Sequence, residues 1–257
     1  MQKDGKYVYC IIATSYECNF GPIGIGGRGD LVNSVGFEGL SMVVSDHPLN
    51  HFVLNPENIL AHQKVIEAVM NQFNSVIPVR FGTVAATPDE IRNLLDRRYS
   101  ELSELLLRFE NKVEYNLKGT WRNMSVIYKE IDNENKALKE LRGKIDTMSD
   151  KEQKDLLILE AGHLIEDALQ KKKEFEVEEI DTAFRKTVVA FKHNKTSGES
   201  MFMNTAFLIN KGREVEFDNI LTTIGEKSKD RSDYFCTGPL PIFNFIDLRI
   251  LPEKWEL

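Results

Sequence analysis

The sequence predicts an α+β protein with two domains. Residues 1–120 are expected to form a ferredoxin-like α+β domain, and residues 121–257 a smaller α+β domain with a long helical insertion and an extended C-terminal tail. Three observations support this prediction. The chain has 257 residues, which is long for one compact core. Both halves alternate short apolar runs with amphipathic helical patterns, and a charged, proline-free stretch separates them.

The first domain is expected to begin with strands. Residues 6–13, KYVYCIIA, are rich in β-branched and aromatic residues, which is typical of a buried strand. A glycine-rich segment, GPIGIGGRGD at 21–30, follows it. Residues 31–46 then hold two short apolar runs interrupted at Gly39. We expect these runs to form a hairpin or two short strands.

Two helices are predicted next, each from the same signal at its N-terminus. Asn55 is a natural N-cap and Pro56 suits the first helical position, so we expect a helix over 55–73. Thr87 and Pro88 repeat that pattern and open a second helix. Apolar residues recur at helical spacing in both.

Two further strands are predicted around the second helix. Residues 76–85, VIPVRFGTVA, read as a strand in which Pro78 favours a start or an edge position. Apolar and polar residues alternate over 112–121, which predicts another strand. The resulting order is β-β-β-α-β-α-β, in which helices cover one face of a mainly antiparallel sheet. That layout is ferredoxin-like.

From Ile131 onward the composition becomes charged and helical. We expect one long amphipathic helix here, or two in a hairpin. The remaining segments predict the order β, β, α, β. The apolar stripe of the helical region comprises Leu157, Ala161, Leu164, Ala168 and Phe175, with Ile165 and Leu169 beside it.

Composition narrows the classes of partner and compartment. The formal net charge of −7 argues against nucleic acid or an anionic lipid membrane as the main ligand. An odd count of three cysteines without a C-x-x-C pair argues against a disulfide framework and favours a reducing cytoplasm. No run approaches the roughly 20 apolar residues of a transmembrane helix.

The glycine-rich segment spells a nucleotide-binding pattern, G-x-G-x-x-G, with Gly24, Gly26 and Gly29. This pattern binds phosphate only where it leaves a strand and opens a helix. Here it leads from strand to strand, so we predict a mobile strand connection. The alternative is a ligand-sensing module in which Gly24 to Gly29 close on a small anion or a nucleotide.

The other sequence patterns do not make up a catalytic or a metal-binding site. His47 and His51 lie four residues apart but flank Pro48, which blocks a helix, and no third ligand is near in sequence. Cys10 lies inside an apolar strand, where burial would raise the pKa of its thiol. The sequence therefore predicts a non-enzymatic protein without a cofactor or a metal.

Arg80 is a charged residue inside a predicted strand, between Val79 and Phe81. An arginine that faces inward needs a carboxylate or several carbonyl groups, because an unpaired buried charge is costly. We expect a structural role for Arg80, as a tether between elements, in preference to ligand binding.

The tail at 236–250, CTGPLPIFNFIDLRI, is the most distinctive stretch of the chain. Its glycine and prolines stiffen an extended segment that displays apolar side chains. Such a segment either packs in the core or between domains, which the residues alone favour, or presents an apolar edge to a partner. The candidate partner-binding residues are Gly238, Pro239, Leu240, Pro241, Phe243 and Phe245.

In the order and spacing of several segments the chain resembles the gas vesicle protein GvpF/GvpL family. The segments are KYVYCIIA, GLSMVVSDHP, HQKVIEAVM, VIPVRFGTV, SGESMFMNTAFLINK and TGPLPIFNFIDL. The tail departs from the family pattern in two places. Leu240 stands where an aromatic residue is expected, and Ile242–Phe243 where a proline–tyrosine-like step is expected.

The resemblance implies a two-domain α+β fold, ferredoxin-like in the first domain. It also implies an accessory or minor structural protein of the gas vesicle. Such a protein would bind the small, very apolar shell protein GvpA during assembly, and other accessory proteins are further possible partners. The candidate surfaces are the exposed sheet edge near residues 21–30 and the tail.

Overall fold

The structure, a computed structural model, describes residues 4–48, 54–248 and 250. The chain forms two compact units, which differ from the two segments produced by a cut at residue 120. Unit 1 holds residues 1–114, 208–211 and 238–257, and unit 2 holds residues 115–207 and 212–237. A single cut in the sequence cannot reproduce this division, because unit 1 is assembled from three separate segments.

Unit 1 is built on an antiparallel sheet with the strand order β2-β3-β4-β1-β5, and β6 also pairs with β1. The glycine-rich segment runs from strand to strand, as predicted, and not from a strand to a helix, but the strand that precedes it is the short β2, which the sequence did not predict. The strands are β1 (Asp4–Ala13), β2 (Asn19–Gly21), β3 (Val32–Phe37), β4 (Leu40–Pro48), β5 (Val76–Pro78) and β6 (Val84–Ala85).

Strand β1 is the centre of this sheet and of the core. Every side chain from Tyr7 to Ile12 is fully buried, so both faces of the strand are covered. Val43 of β4 and Val65, Ile66 and Val69 of the first helix pack into the same core. Burial on both faces explains the continuous apolar run that identifies this strand in the sequence.

The turn between β3 and β4 confirms the hairpin predicted around Gly39. Glu38 and Gly39 both have positive φ, 45° and 91°, so the two residues form a tight turn of the primed type. Phe37 pairs with Leu40 directly across it. Glu38 occupies a backbone conformation that normally favours glycine or asparagine.

The helices of unit 1 begin where their capping residues predict. Asn55 caps α1 (Pro56–Met70), since its side chain accepts from the backbone N–H of Asn58 at 2.8 Å. Thr87 caps the next helix in the same way, through Glu90. The predicted single helix after Thr87 is instead two helices, α2 (Pro88–Arg97) and α3 (Tyr99–Arg108).

The break between α2 and α3 lies at Arg98, whose φ of −109° and ψ of 18° are not helical. After the break, the Tyr99 hydroxyl donates to the backbone oxygen of Glu38 in the β3–β4 turn at 3.1 Å. Neither glycine nor proline marks this position in the sequence. A tertiary contact therefore accompanies a break that local propensity does not predict.

Unit 2 contains most of a second sheet, with the strand order β10-β7-β9-β8. Strand β7, which the sequence prediction assigns to the first domain, thus belongs to this second sheet. The elements are β7 (Lys112–Trp121), α4 (Met124–Glu134), α5 (Lys136–Thr147), α6 (Lys151–Phe184), β8 (Ala190–His193), β9 (Met201–Asn210), α7 (Glu214–Lys227) and β10 (Ser232–Leu240). The α+β class is confirmed, and the ferredoxin-like layout stays a prediction.

The helical region of unit 2 consists of three helices, where one or two were expected. The order β, β, α, β that follows it is as predicted. Of the predicted apolar stripe on α6, only Leu169 is buried, and Phe175 is largely exposed. The core of unit 2 instead forms around the stacked rings of Phe184 and Phe217, whose centroids are 4.5 Å apart, together with Phe207.

A partly buried ion cluster joins α4, α6 and the segment before β10 within unit 2. Arg231 donates to both carboxylate oxygens of Glu130, at 2.6 and 3.0 Å, and to Glu176 at 2.8 Å. Lys172 adds a bond to Glu130 at 3.0 Å. Hydrogen bonds from Arg231, and then from Lys172, lower the pKa of Glu130 from 4.5 to about 2, although burial opposes the change.

We predict that Glu130→Gln lowers the free energy of unfolding by about 1–2 kcal/mol at pH 7, a range reduced for partial solvent exposure. Because the folded pKa of Glu130 lies below its unfolded value, its contribution is complete above pH 4.5 and is lost as the pH falls towards about 2. Urea unfolding of both proteins at pH 7 and pH 3 measures this difference.

The matched control for this prediction is Glu178→Gln, because Glu178 of α6 pairs with Arg185 on the exposed surface of the same unit. Its effect at pH 7 should stay within about 0.5 kcal/mol. A Glu130→Gln effect that does not shrink at low pH would contradict the assigned pKa.

Candidate functional site

A cavity of about 330 Å³ opens in unit 1 between α1, the turn after β5 and the tail. We call it the α1–tail cavity. Its wall is mainly apolar and aromatic, and a few polar groups converge on it, which is the usual composition of a binding pocket. The lining residues are Ile59, His62, Gln63, Pro78, Arg80, Phe81, Phe243, Ile246, Asp247 and Leu248.

His62 lies at the inner wall of this cavity, with both ring nitrogens hydrogen-bonded. Because the Val79 carbonyl only accepts, Nε2 carries the hydrogen and donates to it over 3.2 Å. Nδ1 then accepts from the Tyr7 hydroxyl at 3.0 Å, and the Tyr7 oxygen accepts from the N–H of Gly82 at 3.0 Å. This chain of bonds ties α1 to β1 and to the turn after β5.

Burial keeps His62 neutral. It lowers the pKa of the imidazole from 6.5 to about 4, and the bond to the Val79 carbonyl offsets only part of that change. Burial also raises the pKa of Tyr7. A neutral imidazole between aromatic rings is a packing and positioning group, so the inner wall of the cavity is uncharged.

The tail is held against this site by a buried carboxylate. Glu114 of β7 accepts from the backbone N–H of Asn244 at 2.9 Å and from its side-chain amide at 2.5 Å. Ile242 and Leu248 are buried on either side of this clamp. Between these anchors, Phe243 stacks on His62 with ring centroids 6.3 Å apart and remains 40% exposed.

The six predicted partner-binding residues of the tail have different environments. Gly238 and Pro239 are exposed and joined by a cis peptide bond, while Leu240 and Phe245 are half-buried. Pro241 is buried. Phe243 is the member of this set that lines the α1–tail cavity. The geometry therefore separates Phe243, an exposed ring at a cavity mouth, from the others.

The expectation that Arg80 lies within a strand is wrong. Strand β5 ends at Pro78, and Arg80 occupies an exposed turn in which Gly82 has a φ of 90°. The backbone oxygen of Arg80 accepts from the N–H and the hydroxyl of Thr83. Its guanidinium makes no ion pair with any residue that the structure describes, and it lines the α1–tail cavity. The side chain is thus an exposed cation beside the cavity, and its role as a structural tether stays a prediction.

The glycine-rich segment at 21–30 is closed by its own contacts and is not a loose connection. Gly24 donates its N–H to the backbone oxygen of Asp30 at 3.0 Å, and a Cβ at Gly24 would lie 2.8 Å from that oxygen. Ile25 is fully buried, with its N–H donating to the Tyr9 hydroxyl at 2.8 Å. Arg28 pairs with Asp30 at 2.8 Å.

An anion or nucleotide site in this segment finds no support. The N–H of Gly24 already has a backbone partner, and the carboxylate of Asp30 places negative charge at the turn. The segment also enters strand β3, so it does not open the helix whose N-terminus this pattern needs to bind a phosphate. The positive φ values of Gly26 and Gly29 serve the turn itself.

The histidines and the cysteine that were considered as metal or catalytic residues are described next. His47 is buried beside Tyr7, with ring centroids 5.8 Å apart, and His51 lies outside the described residues. Over the described ranges, no three His, Cys, Asp or Glu side chains come together as a possible metal site. Burial raises the pKa of Cys10, as expected for its strand. Within those ranges, no helix has the length and apolar character needed to cross a membrane.

Sequence reasoning missed three residues that build this site: His62, Glu114 and Asn244. His62 stands on the apolar face of α1, four residues before Ile66, which is the one local signal for its burial. Glu114 lies between Val113 and Tyr115 in a strand pattern that gives no sign of a buried acid. Only the folded chain pairs it with Asn244.

The chain is similar to proteins of one family over most of its length. The family model described as gas vesicle synthesis protein GvpL/GvpF matches residues 5–247. Gas vesicle protein F of Streptomyces sp. is 27% identical over 94% of this chain and 99% of its own length. The corresponding protein of Microcystis aeruginosa is 25% identical over 78% of this chain and 81% of its own length.

Among solved structures, the chain is similar to the crystal structure of the gas vesicle protein GvpF from Anabaena sp. The TM-score is 0.82 at 21% identity, and the match covers 96% of this chain and 100% of that one. At this identity the likeness establishes the fold.

We predict that the free energy of unfolding falls as the pH drops from 6.5 towards 4. In this range His62 takes up a proton in the unfolded chain but stays neutral in the folded chain. This group alone contributes a slope of up to about 1.4 kcal/mol per pH unit. His62→Gln, which keeps a donor and an acceptor, should remove that component. Urea unfolding from pH 7 to pH 4 measures the slopes.

His163→Gln is the control, because His163 is exposed on α6. The control should retain the wild-type slope. An unchanged slope in His62→Gln would show that His62 is not the group that titrates.

Proposed function

The chain belongs to the gas vesicle synthesis protein GvpL/GvpF family, and we propose that it is a non-enzymatic accessory protein of gas vesicle assembly that binds the shell protein GvpA. Its role lies in the gas vesicle system, as its family indicates. The observation that carries the proposal is the match of the family model to residues 5–247, which takes in both units. That this chain binds GvpA is a more specific proposal than its role in the gas vesicle system.

The physical reason for such a protein is the nature of the shell subunit. A small protein that forms an apolar, gas-facing wall exposes apolar surface before it is incorporated, and exposed apolar surface and strand edges favour aggregation. A partner that covers part of this surface keeps the subunit soluble until it is needed. Contact with other accessory proteins of the vesicle is compatible with this role.

We propose the mouth of the α1–tail cavity as the contact surface in unit 1. Phe243 presents an exposed ring there, and Ile59 and Leu60 of α1 are also about half exposed. A cavity that receives an apolar side chain, with an aromatic ring at its edge, has the composition of an interface hot spot. Because the clamp at Asn244 fixes the backbone of the tail, little ordering of that segment opposes binding.

Arg80 adds a polar requirement to this surface. Arg80 lines the cavity together with Asp247, and its guanidinium makes no ion pair with any residue in the described part of the chain. A partner side chain that fills the cavity would therefore be favoured by a carboxylate beside it. This pairing sets the orientation of the bound segment more than its affinity.

Phe243→Ala is expected to weaken binding to GvpA by about tenfold or more, since it removes the exposed ring at the cavity mouth. Co-expression with GvpA, pull-down and the amount of soluble GvpA provide the measurement. Phe235→Ala is the matched control, because Phe235 is a 65% exposed phenylalanine on β10 in unit 2.

Thermal unfolding of the same variants separates binding from folding. Phe243→Ala should bind less while keeping a melting temperature close to that of Phe235→Ala. Equal losses of binding and of thermal stability would show that the tail is only core. Failure of the wild-type protein to retain soluble GvpA, with both proteins folded, would overturn the GvpA proposal.

A further inference from the structure

The first half of α6 carries apolar side chains that its own unit leaves exposed. Leu156, Ile158 and Leu159 are 66%, 51% and 60% exposed. Beside them lies an open groove of about 830 Å³ in unit 2, which we call the α6 groove. Its lining residues are Tyr128, Ile158, Leu159, Gly162, His163, Ile165, Glu166, Asp167, Leu169, Gln170, Lys173, Gly198 and Glu199.

Helix α6 bears two apolar stripes, and the second one runs along this groove. Leu157 and Leu164 of the first stripe are half-buried, and Phe175 at its end is exposed. The second follows Ile158, Ile165 and Leu169 at helical spacing, becoming more buried along the helix. An apolar stripe that lines an open groove is a typical interaction surface.

Gly162 lies in the middle of the second stripe. A Cβ built on this residue meets no atom within 4 Å, so its surroundings are open. Glycine within a helix costs up to about 1 kcal/mol relative to alanine. The space over Gly162 allows the backbone of another helix to approach α6 closely.

The charges along the groove are mainly negative. Glu166 and Asp167 line it, and neither makes an ion pair with any residue of the described ranges. Glu199 accepts a hydrogen bond from Tyr128, and Lys173, the lysine of the lining, donates to the backbone oxygen of Gly198. Two uncompensated carboxylates beside an apolar floor call for a partner with cationic groups next to apolar ones.

We propose that the α6 groove docks one amphipathic helix of a partner protein, with lysine or arginine residues flanking its apolar face. From Ile158 to Ile165 the accessible part of the stripe spans about 10 Å of helix, or two turns, which matches helical anchors at i, i+3 or i+4 and i+7. A second copy of this chain is disfavoured, because two such surfaces would bring the carboxylates of Glu166 and Asp167 towards their own equivalents.

This surface is independent of the α1–tail cavity. Its residues belong to unit 2, and those of the cavity to unit 1. The binding test uses model peptides unrelated to GvpA, so its result and that of the GvpA experiment are separate.

The test uses the full chain and two labelled helical peptides of about 14 residues, close to four turns. Both peptides carry the same leucine face, and one has lysine and the other glutamate on its flanks. Fluorescence anisotropy should show the lysine peptide binding at least about tenfold more tightly than the glutamate peptide, with an affinity that falls as salt is added.

Two substitutions locate the binding on the groove. Gly162→Leu places a side chain in the open space and should lower the affinity for the lysine peptide by about tenfold or more. Ile158→Ser removes an exposed apolar contact and should weaken it as well. Gly143→Leu is the matched control, because Gly143 is an exposed helical glycine of α5 whose Cβ also meets nothing within 4 Å.

Three results would overturn the proposal. They are equal binding of the two peptides, no binding of either, and equal weakening by Gly143→Leu and Gly162→Leu. Sedimentation of the peptide-free protein provides a separate test of its oligomeric state. A dimer that Gly162→Leu dissociates would identify a second copy as the occupant, and would also overturn it.

Discussion

Two tyrosine hydroxyls buried at the centre of unit 1 determine where its surrounding segments can lie. Tyr7 and Tyr9 are fully buried on β1, and an unsatisfied buried hydroxyl would cost about 1–3 kcal/mol. Tyr7 is satisfied by His62 and by the N–H of Gly82. Tyr9 is satisfied by Ser45 and by the N–H of Ile25. Helix α1, the turn after β5, strand β4 and the glycine-rich segment therefore all meet at one strand.

This requirement also produces the α1–tail cavity. The bond from Tyr7 holds His62 inward, and the ring of His62 becomes the platform on which Phe243 stacks. The clamp between Glu114 and Asn244 fixes the tail from its other side. Two walls of the cavity are thus positioned by hydrogen bonds to buried polar groups.

The sequence predicts elements well where one local cause determines them. Strand β1, the turn at Gly39 and the starts of α1 and α2 follow from apolar runs, turn residues and caps, and all are found as expected. The break at Arg98, the turn at Arg80 and the division of the chain into units depend on contacts between distant segments. The pairing of Glu114 with Asn244, 130 residues later, is beyond any local pattern.

The two candidate surfaces differ in a way that bears on specificity. The α1–tail cavity has one charge of each sign, Arg80 and Asp247, in an apolar lining, whereas the α6 groove has the carboxylates of Glu166 and Asp167 beside an apolar floor. Apolar area alone does not discriminate between partners, and like charges brought together at an interface cost several kcal/mol. A basic segment is therefore favoured by the α6 groove, whereas the mixed charges of the α1–tail cavity give no such preference. A chain with two surfaces of different charge can hold two different apolar segments, which a single apolar patch could not tell apart.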